Sequence, residues 1–279
     1  MKHPIITLLT DFGIRDHYVA SMKGVILGIN PFCTLVDISH HVRPHDIPEG
    51  AFLLANAFSS FPKETIHLAV VDPGVGGPRR PILVATSNYF FIGPDNGIFT
   101  LALHREKVKG VFHLNEEAYF RPRVSSTFQG RDLFAPVAAR LSLGVRPGSF
   151  GAETDVWEKL DFLRPEPKSK ELAGEIVHVD TFGNLISNID EQTLFAFTKS
   201  RPFSVKAGRV SFSGLKRGYW EGRGGEAIAL IGSGGFLEIS VREGSAAKRL
   251  KMRKGDRIRI CLDRGGRQQP FTGQKKKTR

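Results

Sequence analysis

Two hydrophobic rhythms alternate along the first 160 residues. Residues 5–10, Ile-Ile-Thr-Leu-Leu-Thr, form a near-continuous apolar run that reads as a buried strand, ended by Asp11-Phe12-Gly13. Tyr18, Val19, Met22, Val25, Ile26 and Ile29 then recur at helical spacing, one apolar face over residues 17–29. Residues 33–38 predict a second strand. Asp46-Ile47-Pro48-Glu49 has capping-box form and opens a helix through about residue 58. Strands follow at 66–71 and 82–92, the latter broken by a turn near Asn88. Residues 98–104 and 132–141 predict helices, the second with Pro136 in its first turns. This alternation predicts an α/β fold, a mostly parallel sheet flanked by helices.

The rhythm changes after residue 164. Pro165-Glu166-Pro167-Lys168-Ser169-Lys170 reads as a linker over 165–172. Beyond it helical spacing nearly vanishes. Short apolar runs at 176–179, 185–189, 203–205, 210–212, 227–231, 236–241 and 257–262 are separated by Gly-rich turns. They predict a smaller all-β barrel over 173–263. The expected organisation is an α/β domain over 1–164, the linker, the barrel, and a basic disordered tail over 264–279. No internal repeat is visible.

Composition adds limits. The 279 residues are 41% apolar and 24% charged, as in soluble globular proteins. No apolar run reaches the roughly 18 residues that span a bilayer. Met1-Lys2-His3-Pro4 leads straight into a strand without a signal-peptide core. Cys33 and Cys261 sit in apolar runs and read as core thiols rather than a disulfide. A cytoplasmic protein is expected. The net charge of +12 is a C-terminal property: residues 239–279 hold 14 Lys/Arg against 3 Asp/Glu. The bland reading of the tail is a solubilising extension. The alternative, weak RNA or membrane-surface contact, would fall steeply with salt. Neither a membrane nor nucleic acid is expected as the main partner.

Val71-Asp72-Pro73-Gly74-Val75-Gly76-Gly77-Pro78-Arg79-Arg80 follows a buried strand, so a carboxylate opens a tight loop that two guanidiniums close. Such a pair is costly to bury unless it is satisfied or used; a structural brace and a functional pair both remain open. Asp11 and Asp16, the loop Thr127-Phe128-Gln129-Gly130-Arg131-Asp132, and Asp180-Thr181-Phe182-Gly183-Asn184 are further polar clusters at element ends. Each alone is commonly a turn device. Together they suit a polar ligand with an aromatic base, because carboxylates match vicinal hydroxyls or an ammonium and phenyl rings match a purine. Walker A, dinucleotide and nucleophile-elbow motifs are absent. His40, His41 and His45 lack the spacing of a helical metal pair, and no metal site is expected.

Taken in order, Thr10-Asp11-Phe12-Gly13, Met22-Lys23-Gly24, the Asp72 loop, Gly93-Pro94-Asp95-Asn96-Gly97, Thr127-Phe128-x-Gly130-Arg131-Asp132-x-Phe134-Ala135-Pro136, Phe182-Gly183-Asn184-Leu185-Ile186 and Gly235-Phe236-Leu237-Glu238-Ile239 resemble one family. It is the S-adenosylmethionine (SAM) hydroxide adenosyltransferase family, the SAM hydrolases, related to fluorinase and chlorinase. The resemblance covers residues 5 to about 262. It implies hydrolysis of SAM to adenosine and L-methionine, no cofactor, and a homotrimer with SAM bound between subunits. It further implies ribose binding by Asp11, ammonium binding by Asp16 and Asp180, and Ser233 near the carboxylate. Phe182, Asn184 and Phe236 would form the adenine slot, with Phe128 and His45 also lining the substrate.

Asp72 and Arg79 match two members of the family's water-holding triad. The third, a His in the family's hydrolases, is Gln129 here. An amide donates and accepts hydrogen bonds but takes no proton near neutral pH. Asp72 is then the expected base, with His45 a second candidate. A SAM-binding protein of weakened activity is the alternative. A halogenase fits less well, since a carboxylate at Asp72 repels an incoming halide.

Overall fold

The computed structural model describes residues 3–161 and 165–263. The chain divides after Asp161 into two compact units. The first contains β1 (Ile5–Thr10), α1 (Tyr18–Ile29), β2 (Thr34–Ser39), α2 (Ile47–Ala57), β3 (Ile66–Val70), β4 (Pro81–Thr86), β5 (Phe90–Pro94), α3 (Thr100–Leu103), β6 (Val108–His113) and α4 (Ala135–Ser142). Its six strands are ordered β2-β1-β3-β5-β4-β6. The β2–β1, β1–β3 and β3–β5 ladders are parallel, whereas β4 is antiparallel to both neighbours. The sheet is therefore mixed, with three of its five ladders parallel. Its cause is local: the link between β4 and β5 is far too short for a parallel crossover, so a hairpin forms.

Strand alternation sends Ile6 and Leu8 to one face, where they join Met22 and Ile26 of α1 and Val137 of α4. Leu9, Ala69 and Val71 face the other way and pack with Leu54 of α2 and Phe58. The helix expected from residue 132 begins earlier, as a π-helical turn over Gly130–Phe134 that runs into α4. Pro136 explains the widened turn. It has no N–H to give the Asp132 carbonyl, and that carbonyl accepts instead from Arg121 N at 2.9 Å.

The second unit contains β7 (Glu166–Pro167), β8 (Glu171–Val179), β9 (Leu185–Asp190), α5 (Glu191–Thr198), β10 (Phe203–Ala207), β11 (Val210–Ser213), β12 (Ala227–Ile231), β13 (Phe236–Val241), α6 (Ala246–Leu250) and β14 (Arg257–Leu262). The path is β11-β10-β14-β8-β9-β13-β12, with β7 on β8, antiparallel throughout. A single bridge from Lys216 to Leu230 brings the two edges of this sheet together, near to barrel closure around one core. The segment read as a linker differs from expectation: β7 and the start of β8 lie in it. The segment read as a tail, 264–279, is outside the described residues. Two short helices went unread. α5 buries only Leu194 and Thr198, too little for a visible period, but Asp190 caps it through Thr193 N at 2.8 Å. Among the described residues no helix is long and apolar enough to cross a membrane.

Candidate active site

The parallel strands β2, β1, β3 and β5 end along one edge of the first unit, where open α/β sheets take their ligands. Asp72 follows β3 there. Arg79 Nε donates to both Asp72 oxygens at 3.0 Å, and its Nη2 donates to Oδ2 as well. The same Nη2 donates to Gln129 Oε1 at 2.5 Å. Both charged side chains are largely buried, and the guanidinium lies 5.5 Å from the Phe134 ring centroid. Gly76, at φ 75°, lets the loop close on the segment before Gln129; a Cβ there would stand 2.2 Å from Ser126 O. Asn96 ties the base of the loop through Nδ2 to Val71 O at 2.9 Å. Arg80 turns away to Asp95 and the Val156 carbonyl, which makes it a brace.

Gln129 is thereby oriented. Its carbonyl oxygen is committed to Arg79, so the amide presents N–H donors elsewhere. Asp132, fully buried, takes two bonds from Arg131 and one from Ser125 N. Burial pushes its carboxyl up, but those hydrogen bonds outweigh burial and hold it below its usual range.

Asp11 Oδ2 accepts His45 N at 2.9 Å, and His45 adopts φ 68° to make that contact. Beneath it lies a support that sequence reading missed. Lys23 donates to Asp37 at 2.6 Å, and His40 Nε2 lies 3.0 Å from Asp37 Oδ1, close but short of hydrogen-bond geometry. His40 Nδ1 is 2.8 Å from the Thr10 hydroxyl, which also accepts Phe12 N, while the His40 carbonyl accepts Gly13 N at 2.7 Å. The Asp11 turn is thus held from both sides by one buried His. Asp16 is exposed and has no partner among the described residues. Phe128 departs from expectation. It is buried against Phe12, Tyr18 and the Arg131 guanidinium, so its ring serves the core.

In the second unit, Asp180 Oδ1 accepts Phe182 N and Asn184 N, and Oδ2 accepts Asn184 Nδ2, all within 2.8–3.0 Å. Gly183, at φ 82°, packs on Ser245, with a Cβ position only 2.1 Å from its Oγ. Phe182 is 77% exposed. Ser233 is exposed in the turn between β12 and β13. Phe236 is not beside Phe182 and Asn184. It pairs with Asp190 whereas Leu185 pairs with Ile239, which sets it about 13 Å along β13 from the Asn184 end at the rise of an extended strand. An aromatic that sequence reading overlooked stands at the Asn184 end. Trp220, 68% exposed, lies between Tyr219, bonded to buried Glu238, and Gly222, bonded to Arg242. Its signal was one of only two Trp, set between glycines. Burial first, then the Glu238 carboxylate, pushes the Tyr219 hydroxyl up to about 12. Among the described residues no three His, Cys, Asp or Glu side chains group as metal ligands.

Residues 6–151 match the SAM hydroxide adenosyltransferase N-terminal domain, and residues 174–259 match its C-terminal domain. The chain belongs to the SAM hydroxide adenosyltransferase family. Among members of this family, the chain is 36% identical over 266 residues to a (R)-S-adenosyl-L-methionine hydrolase of Methanocaldococcus jannaschii, covering 92% of this chain and 95% of that one. It is 36% identical over 263 residues to the protein of the same name from Thermus thermophilus, covering 91% and 98%. The solved structure of an uncharacterized conserved protein from Thermotoga maritima superposes with a TM-score of 0.86 at 35% identity, covering 92% and 99%. Within the SAM hydroxide adenosyltransferase fold, the Asp72–Arg79–Gln129 group joins the end of β3 to the π-helical turn.

Proposed function

We propose that this protein hydrolyses SAM to adenosine and L-methionine, acting as a homotrimer. The observation that carries the reading is Arg79 forked between the Asp72 carboxylate and the Gln129 amide, at the strand edge that also carries Asp11. A water oxygen forms the new bond to ribose C5′ as the C5′–S bond breaks, and the electron pair neutralises the sulfonium. The leaving group is a neutral thioether, so it needs no acid and no cofactor. What remains is to orient the water and accept its proton. Asp72 accepts the proton, Arg79 fixes that carboxylate, and the Gln129 N–H donors hold the water oxygen. Asp11 takes the ribose hydroxyls, and the exposed Phe182 offers a ring face to adenine.

Incubation with SAM in ¹⁸O water, with products resolved by mass, tests this. Wild type should release methionine and adenosine carrying ¹⁸O at the 5′-hydroxyl, and Asp72→Ala should be slower by about 10²-fold or more. Gln129 also favours a second reading, a SAM-binding protein of weakened activity, because an amide cannot relay a proton. Binding of SAM without release of adenosine, with turnover restored by Gln129→His, would establish that reading in place of the first.

A further inference from the structure

A groove of about 570 Å³ lies in the first unit, between α1 and the segment that leads into the π-helical turn. Three guanidiniums line it: Arg121, Arg131 and Arg140. Among the described residues no acidic side chain does. Asp132, beneath it, pairs with Arg131 at 2.7 Å and Arg121 at 3.2 Å, so one carboxylate answers two guanidiniums. Among the described residues no carboxylate pairs with the third. Arg140 Nη1 is buried and has no hydrogen-bond partner among the described residues. A buried cationic donor without a counter-charge is costly unless something supplies one.

The floor of the groove is unusual for a second reason. Gly24 and Gly28 stand inside the 12-residue helix α1, where glycine is the poorest helix former apart from proline. A Cβ at either position would meet no atom within 4 Å, so packing within the chain does not call for them. Their absence of side chains keeps the groove open opposite the arginines. Phe120 adds an apolar wall.

We infer that this groove binds a phosphoryl anion, free or carried on a nucleotide. Guanidinium forks match the several oxygens of a phosphate, and a charge-assisted bond to Arg140 Nη1 would satisfy that buried donor. Asp72, Arg79 and Gln129 do not line it, and the inference stands whether or not SAM is the substrate.

Calorimetric titration of the full chain at fixed ionic strength tests it, with inorganic phosphate, UMP and uridine as probes. Phosphate and UMP should bind once per chain, and uridine should not bind. Tighter binding of UMP than of phosphate would mark a nucleotide site, and equal binding a site for the free anion. Arg140→Gln should weaken both at least tenfold. Gly28→Leu, which fills the groove without removing a charge, should weaken both as much while keeping the thermal transition and the helical circular dichroism. The inference is overturned if wild type binds neither probe at millimolar concentration, or if Arg140→Gln binds as wild type does. It is equally overturned if Arg140→Gln changes only the oligomeric state, since the groove would then seat another copy of the chain.

Discussion

Gln129 shows how one side chain redistributes work in a site. Its Oε1 accepts from Arg79, which leaves only donors on the amide, so that in the proposed mechanism proton acceptance falls to Asp72. A different buried residue makes the stability of the fold depend on pH. His67, fully buried on β3 among Phe58, Tyr89 and Phe91, has Nδ1 2.8 Å from the Thr7 hydroxyl and, among the described residues, no partner for Nε2. Burial lowers its pKa to about 3. The neutral form is thus favoured in the folded state, while the unfolded chain binds a proton near pH 6.5. Stability from this group is complete above that value. It is lost as pH falls toward 3, by up to about 1.4 kcal/mol per pH unit. Urea unfolding at pH 7, 6 and 5 should show this fall, and His67→Gln should flatten it. An unchanged slope in the variant would place the dependence elsewhere.

Elements carry these residues to the site, and α2 does so through its cap. Asp46 accepts Glu49 N at 3.0 Å, and the Glu49 carboxylate accepts Arg43 N at 3.0 Å. The next residue back is His45, held at positive φ with its N–H on Asp11. Asp46→Ala should therefore cost about 1 kcal/mol in stability, the usual worth of an N-cap. By loosening His45 it should also raise KM for SAM more than it lowers kcat; Asp46→Asn should restore both. A drop in stability with KM unchanged would separate the cap from Asp11. The cap was legible because Asp and Glu stood three apart before an apolar run. The π-helical turn was not, since it depends on a missing Pro136 N–H and a distant Arg121. The place of Phe236 was not either: a shifted register in the β9–β13 ladder sets it, and period-2 patterning does not encode which residues face across a ladder.

At the scale of the molecule, two compositions mark two cores. Helical and buried-strand periods up to residue 141, then short strands at close spacing, placed nearly every strand, because each pattern reports its own packing face. The mixed ladders of the first sheet escaped, since patterning reports burial and not strand direction. The chemistry was legible where carboxylates and guanidiniums shared a loop, as at Asp72 and Arg79. It was hidden where distant residues meet, as in the Lys23–Asp37–His40–Thr10 chain. The core clusters of residues 1–161 and of the second unit share no residue, and units of this size fold alone when their cores are their own. Fragments 1–161 and 162–279, expressed separately, should each show one cooperative thermal transition. On the proposed reading the second fragment should release no adenosine from SAM, because Asp72, Arg79 and Gln129 belong to the first. Turnover by the first fragment alone would remove the second unit from catalysis. A fragment that binds hydrophobic dye and melts without a transition would show that its core needs the rest of the chain.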